Sequence, residues 1–421
     1  MDYIALTLFI LAYLLFVILP HRRTHIAVIS AFLLVVTGTL TVPEAFWAIN
    51  WNVMGIFVGT LLIADLFMES RMPAYLAEII VDRSKNICWA ILFICGLTGF
   101  ISAFVENVAT VLIVAPIALS LAKKLKISPV NILIAIAISS NLQGTATLIG
   151  DPPSMLLAGF MKLNFMDFFF YKGKVSIFFF VQIGAIASFF VLHRFFKSEK
   201  KKAEFIPVEK VKSWFPTILL VVLIFSLALS SFFDPGFGYL SGIICMAFAF
   251  IGGIWDVLVQ KGHFTKRIKS LDWETTLFLM GVFVIVGSLA VTGWISVMAD
   301  FLSALIGKNI FTGFCAIVFI SMILSGFIDN VPFLSAMLPI SISVADKLAI
   351  APVLFLFGLL IGASLGGNIT PIGASANIVS MGILKKEGYN VRFGEFVKIG
   401  LPFTLAAVFA ASLILWFVWG N

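Results

Sequence analysis

Charge is what this chain has least of. Charged residues are 12% of its 421 residues while hydrophobic residues are 61%, against averages of roughly 25% and 45–50% in soluble domains. That excludes an ordinary soluble protein and implies a polytopic membrane protein. There are only four cysteines, too few for a disulfide framework; Cys88 and Cys95 share a helical face and read as small apolar filler. There are also only four histidines. His21, His25, His193 and His263 all fall at predicted helix ends, so no metal cluster or activated nucleophile is available at membrane depth. An intramembrane enzyme therefore lacks its machinery, and no catalytic residue or fixed cofactor is expected. The N-terminal run 2–19 lacks a basic leader and a small-residue cleavage site, and reads as a retained span.

What is present is repetition. Between Ser102 and Gly150, 20 of 49 positions are identical to the residue 223 further on. The pairs include Asn107/Asn330, Pro116/Pro339, Lys124/Lys347, Pro129/Pro352, Gly144/Gly367, Thr147/Thr370 and Gly150/Gly373. The chain is an internal duplication.

Each half contains a short polar island in an apolar run, Glu106-Asn107-Val108-Ala109-Thr110 and Asp329-Asn330-Val331-Pro332-Phe333. Unpaired polar groups in hydrocarbon cost several kcal/mol each, so paired islands point to a binding site. Spans are predicted at 2–19, 24–41, 51–68, 175–192, 214–231, 239–255, 274–292 and 400–419. Amphipathic interfacial pieces are predicted at 70–86 and 294–307. Re-entrant hairpins are predicted at 87–122 and 310–345, with arms of about 16 residues, too short to cross. Broken spans are predicted at 130–160 and 352–384, unwound near 143–151 and 366–374. The fold class is all-α polytopic: two inverted repeats, about ten transmembrane helices, two hairpins and two broken helices.

Each half then crosses five times, an odd number, so the halves are antiparallel. With both termini outside, 23 of the 28 Lys and Arg fall on inner segments and 5 outside, as the positive-inside rule requires. No Lys or Arg is then expected within a span. The net charge of +7 is a cytoplasmic collar that includes the basic segment 193–213, not a nucleic-acid surface.

Hairpin tips and helix breaks expose free N–H groups and carbonyls that suit anions and cations. The predicted substrate- and ion-binding set is Glu106, Asn107, Thr110, Asn141, Gly144, Thr145, Thr147, Asp151, Asp329, Asn330, Ser364, Gly367, Asn368, Thr370, Ser375 and Asn377. Na⁺ is placed at Glu106, Asn107, Asp329 and Asn330. A carboxylate at mid-depth is either cation-bound or protonated, so Glu106 and Asp329 suit coupling to Na⁺ or H⁺; the alternative is that they only cap the hairpin tips. Asn107 and Asn330 are the expected N-caps of the second arms. Asp151 is read as a cap of the resumed helix, and Asp65 as a polar contact at a span end. Gly362-Ala363-Ser364-Leu365-Gly366 fits a nucleophile elbow in letters only, for want of a strand and a histidine. Gly358, Gly362 and Gly366, like Gly55 and Gly59, form small-residue rows for close helix packing.

The islands, Gly144-Thr145-Ala146-Thr147-Leu148-Ile149-Gly150-Asp151-Pro152-Pro153, Gly366-Gly367-Asn368 and Ile372-Gly373-Ala374-Ser375-Ala376-Asn377 resemble the ion-transporter superfamily. Within it they look like the branch of arsenite permeases, NhaD-type antiporters and the pigmentation P protein, over nearly the whole chain. Glu106 stands where that branch is expected to have Asp. The more distant dicarboxylate symporters carry Ser-Asn-Thr at both tips, of which only the Asn is present here. The resemblance implies a homodimer working by elevator-like alternating access in the cell membrane. It implies scaffold parts at 1–86 and 214–308, transport parts at 87–197 and 309–421, and a cytoplasmic linker at 198–213. The function implied is secondary transport of a small anion or oxyanion, arsenite-type or organic, coupled to H⁺ or Na⁺, or else Na⁺/H⁺ antiport.

The topology is testable by cysteine labelling in intact cells. A cysteine at 200 is expected to resist an impermeant reagent and one at 235 to react; the reverse pattern contradicts the map.

Overall fold

A computed structural model describes residues 3–125, 127–199, 210–262, 264–307 and 309–420. Lys126, His263, Lys308 and linker residues 200–209 lie outside the described residues. The first half runs α1 (Tyr3–Ile18), α2 (Arg23–Val36), α3 (Val42–Ala48), α4 (Trp51–Glu69), α5 (Met72–Asp82), α6 (Ile87–Ser102), α7 (Asn107–Leu125), α8 (Val130–Gly144), α9 (Pro152–Met161) and α10 (Ile177–Phe196). A two-stranded antiparallel ribbon, Phe170–Tyr171 with Lys174–Val175, lies between α9 and α10. The second half runs α11 (Phe215–Ser230), α12 (Leu240–Val259), α13 (Phe264–Ser270), α14 (Trp273–Val291), α15 (Trp294–Ile306), α16 (Ile310–Ser325), α17 (Asn330–Lys347), α18 (Val353–Gly366), α19 (Ser375–Lys386) and α20 (Phe393–Trp419).

The duplication holds element by element. The starts of α6, α7, α8 and α9 recur 223 residues later as those of α16, α17, α18 and α19. Asparagines open the equivalent helices in the same way: the Asn86 side chain accepts from Trp89 N–H and that of Asn309 from Thr312 N–H. Among the described residues, six helices are long and apolar enough to cross a membrane, and Phe215–Ser230, Val130–Gly144 and Ile87–Ser102 are shorter apolar helices. Apart from the short ribbon, the described residues form a helical polytopic membrane protein.

Three details depart from the sequence-based expectation. First, the span expected at 24–41 ends at Val36, and α1 meets α2 at a 120° bend. Gly38 takes a left-handed φ of 76°, and Thr41 and Glu44 form a capping box that starts α3, so the chain cannot continue straight. Second, α7 has 19 residues and α17 has 18, against expected arms of about 16. Helix-forming Leu, Ala and Lys carry each on, and the terminal lysines complement the helix dipole. Third, α20 starts at Phe393 and so includes Lys398.

Packing relies on backbone contact at the predicted small-residue rows. A Cβ on Gly59 of α4 would lie 2.6 Å from the Cys245 carbonyl carbon of α12, and one on Gly362 of α18 would lie 2.4 Å from Val318 O of α16. At such sites only a missing side chain lets helices approach, with dispersion supplying the attraction. The halves interlock: α4 packs on α12, α2 on α14 and α10 on α20.

Asp65 proves to be a half-buried ion-pair residue and not a simple interface contact. Arg267 of α13 donates to Asp65 at 2.5 Å, Glu69 at 2.8 Å and Asp256 at 2.9 and 3.0 Å. One guanidinium thus pins α4, α12 and α13, and its planar fork suits three partners where an ammonium would not.

The broken helices appear as expected. The path is non-helical between Gly144 and Pro152; after α18 a 3₁₀ turn, Gly367–Ile369, leads through 370–374 to α19. Thr147 Oγ1 donates to Ala103 O and Thr370 Oγ1 to Gly326 O, so each break is tied to the turn of its own half. The breaks fold back so tightly that a Cβ on Gly150 would lie 2.4 Å from Gly144 O, and one on Gly373 2.5 Å from Gly367 O. Gly150→Ala and Gly373→Ala are therefore each expected to destabilise by about 1–3 kcal/mol. Gly382→Ala, with open space around it, should be neutral or stabilising. Thermal unfolding of the purified variants checks this; equal melting temperatures for all three would contradict the tight return.

Candidate functional site

The two turns and the two breaks converge. The turn 103–106 joins α6 to α7, and 326–329 joins α16 to α17. At each, the last residue caps the following helix. Glu106 Oε2 accepts from Ala109 N–H at 2.9 Å, and Asp329 Oδ1 from Val331 N–H at 3.0 Å. Carboxylates suit this place because they complement the positive end of the helix dipole. The expectation that Asn107 and Asn330 cap is thus off by one residue: they open the helices instead. Their side chains are freed by the acids beside them.

Asn107 uses that freedom. Its Nδ2 donates to Asn141 Oδ1 at 3.3 Å. Asn141, fully buried on α8, donates from Nδ2 to Asn368 Oδ1 at 3.0 Å and to Ser364 O at 2.9 Å. A chain of amides therefore runs from the first turn, through the end of α8, into the break after α18. Asn377 closes the far side, donating to Gly367 O and Thr370 O, both at 3.0 Å.

This network is polar, buried and incompletely paired. Asn107 Oδ1, Asp151 Oδ2, Ser364 Oγ, Asn368 Nδ2 and Asn377 Oδ1 are inaccessible and have no partner in the protein. Orphaned buried polar atoms are rare and each costs ~1–3 kcal/mol. Five of the eight such side-chain atoms among the described residues gather around the turns and helix breaks. Asp151 stands at the N-cap position of α9 yet makes no side-chain cap bond, so the reading of it as a simple cap is wrong; Pro152, lacking an N–H, opens that helix.

A cavity of about 80 Å³ lies against this network. Of the predicted residues, Glu106, Asn107, Asn141, Asp151, Asp329, Asn330 and Ser375 line it. Ser364, Asn368 and Asn377 belong to the amide network behind it. The others brace: Thr147 and Thr370 tie the turns, Thr110 Oγ1 bonds back to Glu106 O at 3.1 Å, and Thr145 O accepts from Ser154 Oγ at 3.1 Å. Gly144 and Gly367 receive the returning chain. The Gly366 backbone lies against α16, where a Cβ would meet Met322 O at 2.4 Å, as the packing reading of these glycines expects.

Sequence reasoning missed three lining residues with chemistry: Arg23, Asp272 and Thr275. Asp272 caps α14, its Oδ1 accepting from Thr275 N–H at 2.9 Å; an Asp-x-x-Thr helix start was the available signal. Arg23, grouped with the collar, instead pairs with Asp329 and lies 5.0 Å from the centre of the Phe278 ring. The lining therefore carries four carboxylates, Glu106, Asp151, Asp272 and Asp329, and among the described residues one cationic side chain, Arg23.

An uncharacterized transporter of Mycobacterium tuberculosis is 29% identical, over 99% of this chain and 98% of the relative. The P protein of Mus musculus is 25% identical over 85% of this chain and 52% of its own. Among solved structures, the Alcanivorax borkumensis YdaH transporter superposes with a TM-score of 0.62 at 13% identity, covering 92% of this chain and 88% of that one. Neisseria gonorrhoeae MtrF gives 0.57 at 14%, covering 91% and 83%. These two share the fold. The family model described as Citrate transporter, CitMHS, matches residues 13–355 and 266–421: the chain belongs to that family, a secondary transporter of the ion-transporter superfamily and not an enzyme.

Proposed function

We propose that the protein moves a small anion across the cell membrane together with a coupling cation, Na⁺ or H⁺, and that both are handled at the cavity between the turns and the breaks. The observation that supports this most is the set of five partnerless polar atoms beside a lining of four carboxylates and one guanidinium. Such a lining repels a bare anion and attracts cations. A small organic acid, of which citrate is the family's eponym, or an oxyanion then enters only with cations that neutralise the carboxylates. Asn107, Asn141 and Asn377 offer amide oxygen to a cation, and Asn368 offers N–H to an anion.

Movement is assigned to the elements that carry the site. The two turn-linked pairs, the broken helices and α10 and α20 act as transport parts (87–197 and 309–421). The helices before them in each half (1–86 and 214–308) act as scaffold. The turns are re-entrant tips, the halves inverted, both termini outside, and two copies associate as an elevator-type homodimer. Na⁺/H⁺ antiport of the NhaD type is the second reading. It is favoured by the excess of carboxylates, which serves cation exchange without any anion.

The carboxamide swaps Glu106→Gln and Asp329→Asn discriminate coupling from capping. A carboxamide oxygen still accepts the cap bond, so folding should persist. Gradient-driven uptake in liposomes, with Na⁺ and pH gradients imposed separately and a panel of anions including citrate, should fall at least ~100-fold, as expected when a charge central to the transported complex is lost. Wild-type uptake with unchanged Na⁺ and pH dependence in both variants would leave these residues as caps only.

A further inference from the structure

We propose that Arg23 is a tethered competitor for the coupling cation. Its guanidinium occupies the position at Asp329 that the cation takes, so cation arrival and release of α2 from the second turn are one event. The proposal rests on the cation-coupled reading above.

The geometry is specific. Asp329 spends one oxygen on the Val331 N–H and the other on Arg23. With both oxygens engaged and a full positive charge in place, a second cation gains nothing at this carboxylate. Arg23 is held over the Phe278 face of α14, a seat that favours a cation. The same corner grips the turn again: Tyr13 of α1 donates its hydroxyl to Pro332 O at 2.8 Å and meets Ser335 Oγ at 3.3 Å. The 120° bend between α1 and α2 is what brings both residues to one place. The pair is also exchangeable, its side chains being 27% and 29% exposed; half-exposed ion pairs are weak and screened by salt.

The duplication makes the arrangement one-sided. Glu106 is the repeat equivalent of Asp329, but α12, the counterpart of α2, carries no Lys, Arg or His, and among the described residues Arg23 is the single cationic side chain in the lining. The two carboxylates are thus chemically distinct. Glu106 is open to an incoming cation, while Asp329 must first lose its guanidinium. Neutralising Arg23 removes the competitor and deepens the negative potential made by Glu106, Asp151, Asp272 and Asp329. Among the described residues Tyr13 is a further titratable group, packed against the start of α17.

The test uses the full-length purified protein. Thermal stability is followed against Na⁺ replacing choline at fixed pH, and against pH in choline. For whichever cation stabilises the wild type, Arg23→Gln should lower the half-saturating concentration by about tenfold or more. Arg23→Lys, which keeps the charge, should stay within about threefold of wild type. Phe278→Leu, which removes the seat but not the charge, should shift the midpoint in the same direction by a smaller factor, and it carries the test if Arg23→Gln fails to fold. In an Asp329→Asn background the Arg23→Gln shift should vanish. An unchanged midpoint in both Arg23→Gln and Phe278→Leu, with the cation still stabilising, overturns the competitor role and leaves cation coupling intact. No stabilisation by either cation in any variant overturns both.

Discussion

A polar atom buried in a membrane protein must be paired, and Asn141 is where that demand joins the whole molecule. It sits on the first broken helix, receives Asn107 from the first turn, and gives its amide hydrogens to Ser364 and Asn368 of the second half. Both halves are unwound at this level, and their free backbone groups need partners that hydrocarbon cannot supply. The threonine bonds from each break satisfy a carbonyl of its own turn, and the glycines let each break return closely on itself. Among the described residues, five of the eight unpaired buried side-chain atoms gather near this one cavity. Helices pack closely elsewhere so that this one region can stay polar.

The turns do two jobs with adjacent residues. The acid caps the next helix, and the asparagine after it turns toward the amide network or the cavity. That division explains why a carboxylate precedes asparagine in both islands. Capping needs only one oxygen, so Glu106 and Asp329 serve as caps and still line the cavity, the second oxygen of Asp329 being taken by Arg23. The structural and the ionic readings of these residues are not exclusive. The duplication then supplies two similar half-sites, and Arg23, which has no equivalent in the other half, makes them unlike.

Much of this was legible in the sequence because it is local or periodic. The polar islands, the glycine-rich interruptions and the 223-residue echo place every turn and break within a few residues. Seven of the sixteen predicted site residues line the cavity. What was not legible depends on pairing across the fold. Arg23 looked like one more basic residue after a first span, because nothing in Pro20-His21-Arg22-Arg23 shows that the chain bends by 120° and delivers the guanidinium to Asp329. Asp65 looked like an interface residue because its partner, Arg267, lies on a short helix some 200 residues away. The one-residue error over the caps arose because asparagine caps as well as aspartate and better than glutamate, while here the amide of Asn107 is engaged with Asn141.

The central claim is that transported ion and solute meet in this one cavity. The most direct measurement is the labelling rate of a single cysteine at Ser375, which lines it, in transport-competent protein otherwise free of cysteine. The account predicts that the driving cation together with the transported anion slows modification by a small thiol reagent, and that each alone does so less. A transporting protein whose labelling at position 375 is unmoved by saturating cation and anion would contradict it.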